Sequence, residues 1–504
     1  MVREGALYQQ LDLVQGGTTM EVGKPELPVV RTLIAVPPTC QVSVEVLEAA
    51  EPVLFEHYRV YPFQEPTTDR DPEPPFTIDV AAYQMPHPYP GEVAALGPPG
   101  IFRDLRVVTL EVCPLRYRAA SRELSVTPHL VVRLTYFGMS TEAIRQAPDR
   151  RISPRMEALY RGTVLNYDWL ELPDGGTDEI TTKYLIITTD AYEDELQSFF
   201  EWKYRRGLGA DMVTLTEIGT TPQQIKDYIS ALYYSDGLEF VLLAGDVDDV
   251  PWYYWTDTYS DSWYTMIEGN DHYAELAIGR LAFHNEDELN HQLDKIYNYQ
   301  HTPNLADNWV ERSILVAHQE QYPGKYTLCK EQIRTFSYSL YSPIFDTAYG
   351  GAGATNQQVI DAINEGRGIV NYRGHGSETS WSGWSPSGSF TASHVAQLTN
   401  ADEYFVCFSI CCLNMAMQSS GPCLAESFMK ADYGAMAYLS AVEPSYTIPN
   451  HDFDKQLYQG IYERRTMRMR GSSRCTGPWP RRTYGCICGS GIRRQMYGPR
   501  FPRI

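Results

Sequence analysis

Gly368-Ile369-Val370-Asn371-Tyr372-Arg373-Gly374-His375-Gly376 is the stretch on which the reading of this chain turns. Ile369 to Tyr372 has the composition of a short buried strand, and it stops at a glycine-flanked histidine. A second apolar run, Tyr404-Phe405-Val406-Cys407-Phe408-Ser409-Ile410, stops at Cys411-Cys412-Leu413-Asn414. Two such strand ends set side by side present an imidazole and a thiol at one sheet edge. Cysteine hydrolysis needs that pair, because a thiol attacks as thiolate and an imidazole within reach can take its proton. The glycines flanking His375 allow close backbone approach to a substrate. The amides of Gly376 and Cys412 are then candidates for the oxyanion hole of a tetrahedral intermediate. Two other readings of the same residues stand beside this one. His375 can simply cap a strand above buried, inert thiols, or Cys407, Cys411, Cys412 and Cys423 can form a metal site. The last is disfavoured because three of the four thiols lie in or at the end of one strand rather than in paired CxxC loops.

Working outward, strand and helix patterns alternate from Lys183 onward. Apolar runs at Tyr184 to Thr189, Met212 to Leu215, Phe240 to Ala244, Ala277 to Arg280 and Ile314 to Ala317 lead into the two already quoted. Helical patterns fall between them: one stops at Gly207, one opens with Thr221-Pro222 as N-cap and N1, and others lie near 286–300, 326–340, 355–364 and 422–432. Such alternation predicts an α/β domain over 183–463, a mostly parallel sheet with helices on both faces. Functional groups then belong at the carboxyl ends of the strands, where His375 and Cys412 fall. Between Gly245 and Gly279 the chain is rich in carboxylates, among them Asp246, Asp248, Asp249, Asp257, Asp261, Glu268, Asp271 and Glu275. They read as a solvated loop or as oxygen ligands for a hard cation such as calcium.

Residues 1–140 have a different grammar: short β-type runs with alternating polarity, separated by proline-rich loops, predicting an all-β sandwich. Residues 141–182 read as an exposed linker with arginines at 145, 150, 151, 155 and 161, the kind of place where proteases nick. Residues 464–504 hold eleven Arg and no Lys, Asp or Glu, with neither helical nor strand period. This tail is predicted to be disordered or poorly packed, either a shifted reading frame or a basic interaction tail.

The 504 residues are enough for two or more domains, and the formal charge of −21 argues against a nucleic-acid partner and favours cationic substrates. No apolar run approaches the roughly 20 residues needed to span a bilayer. Met1-Val2-Arg3-Glu4-Gly5 does not read as a signal peptide, and the ten cysteines lack the spacing of a disulfide framework.

Several stretches in order resemble the gingipain family of cysteine peptidases, which has a caspase-like fold. They are Leu242-Leu243-Ala244-Gly245-Asp246, Gly269-Asn270-Asp271-His272-Tyr273-Ala274-Glu275 leading to Ile278-Gly279-Arg280, Val370 to Thr379, Ser409 to Asn414, and Cys423-Leu424-Ala425-Glu426-Ser427. The resemblance implies a secreted endopeptidase, at the cell surface or outside the cell, made as a zymogen and acting through a thioester acyl-enzyme. It implies Cys412 as nucleophile, in the family's Cys-x-Asn pattern, His375 as base, and Glu275 as the acid that orients His375. Tyr446 falls where the family has an aromatic over the first specificity pocket. Asp246, Asp261 and Asp271 become candidates for structural calcium, with no cofactor required for the chemistry. Residues 1–140 resemble the family's propeptide, so the partners implied are protein or peptide substrates and the chain's own prodomain as inhibitor. Two departures stand out: Met415 replaces the family's glycine after Cys-x-Asn, and the family's final helix and strand are not found after residue 463. These suggest the rival reading of a catalytically dead relative acting as a surface binding or secretion-accessory protein.

Overall fold

The structure is a computed structural model. It describes residues 2–462 apart from 4, 12, 14–16, 69–73, 139–151, 171–182, 256–257, 302–306, 341–342 and 419–420. The expectations for 464–504 and for most of the linker therefore lie outside the described residues.

The N-terminal region is all-β, as its alternating runs require. Pro28–Ala35 and Ala94–Phe102 flank Leu105–Val112 in an antiparallel sheet, and Gln41–Ala49 pairs with Leu130–Phe137. The inward residues of the two sheets, Ile34, Val108 and Leu110 from one and Leu130, Val132 and Tyr136 from the other, share one core, which makes this a sandwich. The linker expectation needs correcting over residues 152–170. Pro154–Thr163 is a helix, capped by Ser153 Oγ and opened by proline. Its Met156 and Tyr160 are buried with Ala35 and Val107, so this segment belongs to the sandwich. Arg161 is ion-paired with Glu157 and Asp168 rather than free in a loop.

The second region carries two parallel sheets where the strand alternation suggested one. The first runs in the order Ala210–Thr214, Tyr184–Thr188, Phe240–Ala244, Ala277–Leu281. The second runs Ile344–Tyr349, Arg312–Ala317, Ile369–Arg373, Phe405–Ile410, Ala435–Ser440. Ile344–Tyr349 and Ala435–Ser440, absent from the sequence reading, are its two edge strands; Asp346 and Thr347 interrupt the first, whereas Ala435 to Leu439 is an apolar run that the reading passed over. Most helices fall where the pattern puts them: Glu193–Arg205 before Gly207 at φ +75°, Pro222–Ser235 behind a Thr221 capping box, then Glu286–His301, Lys325–Leu340, Asn356–Asn364 and Leu424–Lys430.

Period-two alternation sorts the central strands of the five-stranded sheet. Val370, Tyr372, Cys407 and Cys411 enter the core on one face, while Phe408 and Ile410 pack on the other against Tyr326 and Tyr458. Asn371 and Arg373 share that second face and meet Asp454 and His451 of helix Thr447–Tyr462. Among the described residues no helix is long and apolar enough to cross a membrane.

Candidate active site

The histidine loop begins where Ile369–Arg373 ends. Gly374 is required by close approach, since a Cβ there would lie 2.6 Å from His318 Cβ. The His375 carbonyl is pinned by Tyr372 Oη at 2.7 Å and by the Ser382 amide at 2.9 Å. The ring is half-buried. Its Nε2 is hydrogen-bonded to Glu320 Oε2 and lies 3.4 Å from Tyr326 Oη, and the rings of His318 and Tyr326 meet it edge-on. Glu320 is held in turn by Lys325 Nζ at 2.8 Å, and its own amide donates to His318 Nδ1. Burial raises the Glu320 pKa, but hydrogen bonds from Lys325 and His375 outweigh it and hold the carboxyl below its usual range. With the Nε2 proton directed at a carboxylate, Nδ1 carries the free lone pair of the neutral ring.

The carboxylate on His375 is thus Glu320, which the sequence reading did not single out. Its signal was present: Glu320 follows the carboxyl end of Arg312–Ala317, the strand paired with Ile369–Arg373, at the edge where functional groups gather. Glu275 is placed elsewhere. It precedes Ala277–Leu281 in the other sheet, and its Oε2 accepts the amides of Ile267 and Glu268. Burial pushes its pKa up to about 7.

The cysteine loop begins where Phe405–Ile410 ends. Cys411 continues the strand's alternation into the core, its Sγ 3.3 Å from Ser409 Oγ and 3.2 Å from Asn414 Oδ1. Cys412 lies outside that core, clustered with Leu413 and Ala416. Its Sγ accepts the Ser445 amide at 3.2 Å. Leu413 follows at φ +63°, a left-handed conformation that a bulky side chain adopts only when its surroundings impose it. Asn414 is what imposes it. Fully buried, it accepts from Ser409 Oγ and Tyr438 Oη and donates through Nδ2 to the carbonyls of Ser377 and Ser380. One side chain therefore ties the cysteine turn to the hairpin that follows His375. Gly376 completes the joint, because a Cβ there would lie 2.5 Å from both Cys411 Sγ and the Cys412 carbonyl. Met415 sits beside this joint without filling it: its amide donates to Ala441 O, and its Sδ faces the Ser440 amide.

Among the described residues no hydrogen bond joins Cys412 to His375; the thiol is turned to Ser445 instead. The next residue, Tyr446, is half-exposed and bridged antiparallel to Thr68 of the sandwich region, and the Thr447 amide donates to Thr67 O at 3.2 Å. A segment of the N-terminal region thus meets, through one antiparallel bridge, the residues that follow the one facing the thiol.

The three aspartates proposed for calcium are not brought together. Asp261 makes a two-point ion pair with Arg280 at 2.8 Å. Asp271 accepts the amides of Ile101 and Tyr273. Asp246 converges instead with Glu426 and His284, and the nearly buried ammonium of Lys430 sits among these groups, hydrogen-bonded to Glu426 at 2.6 Å and 3.5 Å from Asp246. Burial would lower the Lys430 pKa, but the Glu426 hydrogen bond and charge outweigh it and raise it. The cation balancing these carboxylates is a side chain, so the three-aspartate set does not fit a metal ion. Among the described residues, no cluster of metal-ligating atoms includes a cysteine.

Two family models cover most of the chain: Peptidase family C25 over residues 177–474 and Propeptide_C25 over residues 1–168. Gingipain R2 of Porphyromonas gingivalis (strain ATCC 33277) is 28% identical over 434 residues, 83% of this chain and 57% of the relative. The chain thus spans little more than half the length of that relative. Lys-gingipain of the same strain is 26% identical over 465 residues, 88% of this chain and 26% of the relative. Among solved structures, the complex of Porphyromonas gingivalis RgpB pro- and mature domains aligns with a TM-score of 0.52 at 27% identity, covering 56% of this chain and 69% of that one.

Proposed function

Since the chain belongs to peptidase family C25, with that family's propeptide preceding the peptidase region, we propose that it is the latent precursor of a cysteine endopeptidase. The observation that carries this reading is the pairing of His375 with Glu320 beside a cysteine turn braced by Asn414. In the active form Cys412 gives its proton to His375 Nδ1, and the thiolate attacks the scissile carbonyl carbon. The amides of Gly376 and Cys412 take the oxyanion. Collapse of the intermediate breaks the C–N bond, and His375 returns the proton to the departing amine. Water, deprotonated by the same imidazole, then hydrolyses the thioester and restores the thiol. Glu320 holds the ring in the tautomer that leaves Nδ1 basic and steadies the imidazolium. The chemistry runs on side chains alone.

We attribute latency to the antiparallel bridge between Thr68 and Tyr446 and the Thr447 amide bond to Thr67, which occupy the place where a substrate backbone would run. The complex formed by the pro- and mature domains of the RgpB relative supports an inhibitory propeptide here. Arg145, Arg150 and Arg151, ahead of the helix Pro154–Thr163, mark the segment to be cut, and the formal charge of −21 favours substrates with cationic side chains. Action outside the cell or at its surface belongs to the same reading. The test is labelling of the cut chain with an acyloxymethylketone, followed by peptide mapping. Modification confined to Cys412 is expected; modification of Cys411, or none in folded protein, would overturn the proposal.

A further inference from the structure

The sandwich region touches the peptidase region at a second place, on the four-stranded sheet. The hairpin of Ala94–Phe102 and Leu105–Val112 turns through Arg103-Asp104, with Phe102 opposite Leu105. Arg103 sits at φ +54°, in a tight-turn position that glycine normally takes, so the tip breaks a local rule to put a guanidinium there. Arg103 is 5% exposed, and its guanidinium meets three main-chain carbonyls of the peptidase region. One terminal nitrogen donates to Leu238 O at 2.7 Å and Glu275 O at 2.6 Å, and the other donates to Gly237 O at 2.8 Å. Gly237 and Leu238 lie just beyond the carboxyl end of helix Pro222–Ser235, whose dipole favours a cation. Tyr233 stacks its ring 5.3 Å from the guanidinium carbon and donates its hydroxyl to Arg103 O. Beside the tip, the Ile101 amide donates to Asp271 at 2.8 Å, and a Cβ at Gly100 would come within 2.6 Å of the Tyr273 ring.

We propose that this carbonyl cage is a docking site, separate from the catalytic cleft, through which the peptidase region retains its propeptide after the connecting segment is cut. It rests on reading the sandwich as the latency-conferring half. The two contacts differ in kind. At the cleft, main-chain pairing against half-exposed Tyr446 resembles a substrate and can be exchanged for one. At the cage a buried cation satisfies three carbonyls at once, and a planar five-donor fork suits that arrangement better than a point charge. The anchor then keeps the Thr67-Thr68 segment at high local concentration over Cys412, so that cutting alone does not open the cleft.

The test uses the full chain as Cys412→Ala, to prevent self-processing, with a site for a sequence-specific protease placed between residues 171 and 182. After cutting, the dissociation rate of the two halves is measured with and without Arg103→Ala. Losing the buried cation should speed release by roughly 30-fold or more. Arg103→Gln, which keeps a polar side chain but is shorter and uncharged, should release at least about tenfold faster than the parent. Release at the parent rate by either variant, with circular dichroism and melting unchanged before cutting, would overturn the anchor. No step reads turnover, so failure of the peptidase reading and failure of the anchor give different results.

Discussion

The two parallel sheets obey one grammar and end in opposite chemistry. At the carboxyl edge of the five-stranded sheet, Glu320, His375 and Cys412 follow three adjacent strands, and His375 Nδ1 faces no hydrogen-bond partner among the described residues. At the same edge of the four-stranded sheet Asp261 is balanced by Arg280 and Asp246 by Lys430. Buried charges that are paired hold a structure together, whereas a group left one partner short can do chemistry. On the proposed function the four-stranded sheet is scaffold and dock, and the five-stranded sheet the reacting half.

That division can be broken most sharply at the nucleophile. Cys412→Ala should reduce kcat/KM on a peptide library by a factor on the order of 10^4 or more, with the fold intact by circular dichroism. Residual activity near the parent's would move the reaction away from this edge.

Glu275 probes the other sheet through stability. Its pKa is raised from 4.5 to about 7 by burial, so between those values the folded chain holds a proton that the unfolded chain has released. Stability contributed by this group is thus present below pH 4.5 and falls by roughly 3 kcal/mol as pH rises through 7. Glu275→Gln should remove that slope in denaturant titrations at several pH values. An unchanged slope would mean that the carboxyl is not carried neutral. Turnover by the released enzyme should be unaffected, because Glu275 does not touch His375.

Glu320→Gln keeps an acceptor for Nε2–H but loses the charge. A fall in kcat of about 30-fold, on the order of 2 kcal/mol, is expected, with KM little changed. If Glu275→Gln produced that fall and Glu320→Gln did not, the assignment of sheets would be reversed.

The smallest expected effect is at Cys411. As a packed thiol on the core face it should cost about 1 kcal/mol of stability on Cys411→Ala while most activity survives, read by thermal melting beside the same peptide assay.

Much of this was legible in the residues. Largely apolar runs that stop at Gly374 and Cys411 identify central strands, because a strand buried on both faces is mostly apolar and its few polar groups, such as Asn371 and Arg373, need buried partners. The edge strand Ile344–Tyr349 escaped for the converse reason, since partial exposure admits Asp346 and Thr347, whereas the apolar run Ala435 to Leu439 was legible and was passed over. The helix Pro154–Thr163 was hidden among arginines, although Ser153-Pro154 carried its start signal. Glu320 was overlooked because a carboxylate one turn past a strand looks like any surface residue until a second strand lays His375 against it. Periodicity could say that Cys411 and Cys412 face opposite sides, but not which side holds the core.

By itself, then, the sequence determined the order of elements, the two adjacent strand ends that carry His375 and Cys412, and the division between a β region and an α/β region. These follow from periods of two and 3.6 residues, which are local properties of the backbone. Only the tertiary structure decided that Glu320 rather than Glu275 meets His375, that Asp246 faces Lys430, and that Arg103 is enclosed by carbonyls 134 to 172 residues away. Which charge neutralises which depends on distance in space, and sequence separation places no constraint on that once the chain has folded back on itself.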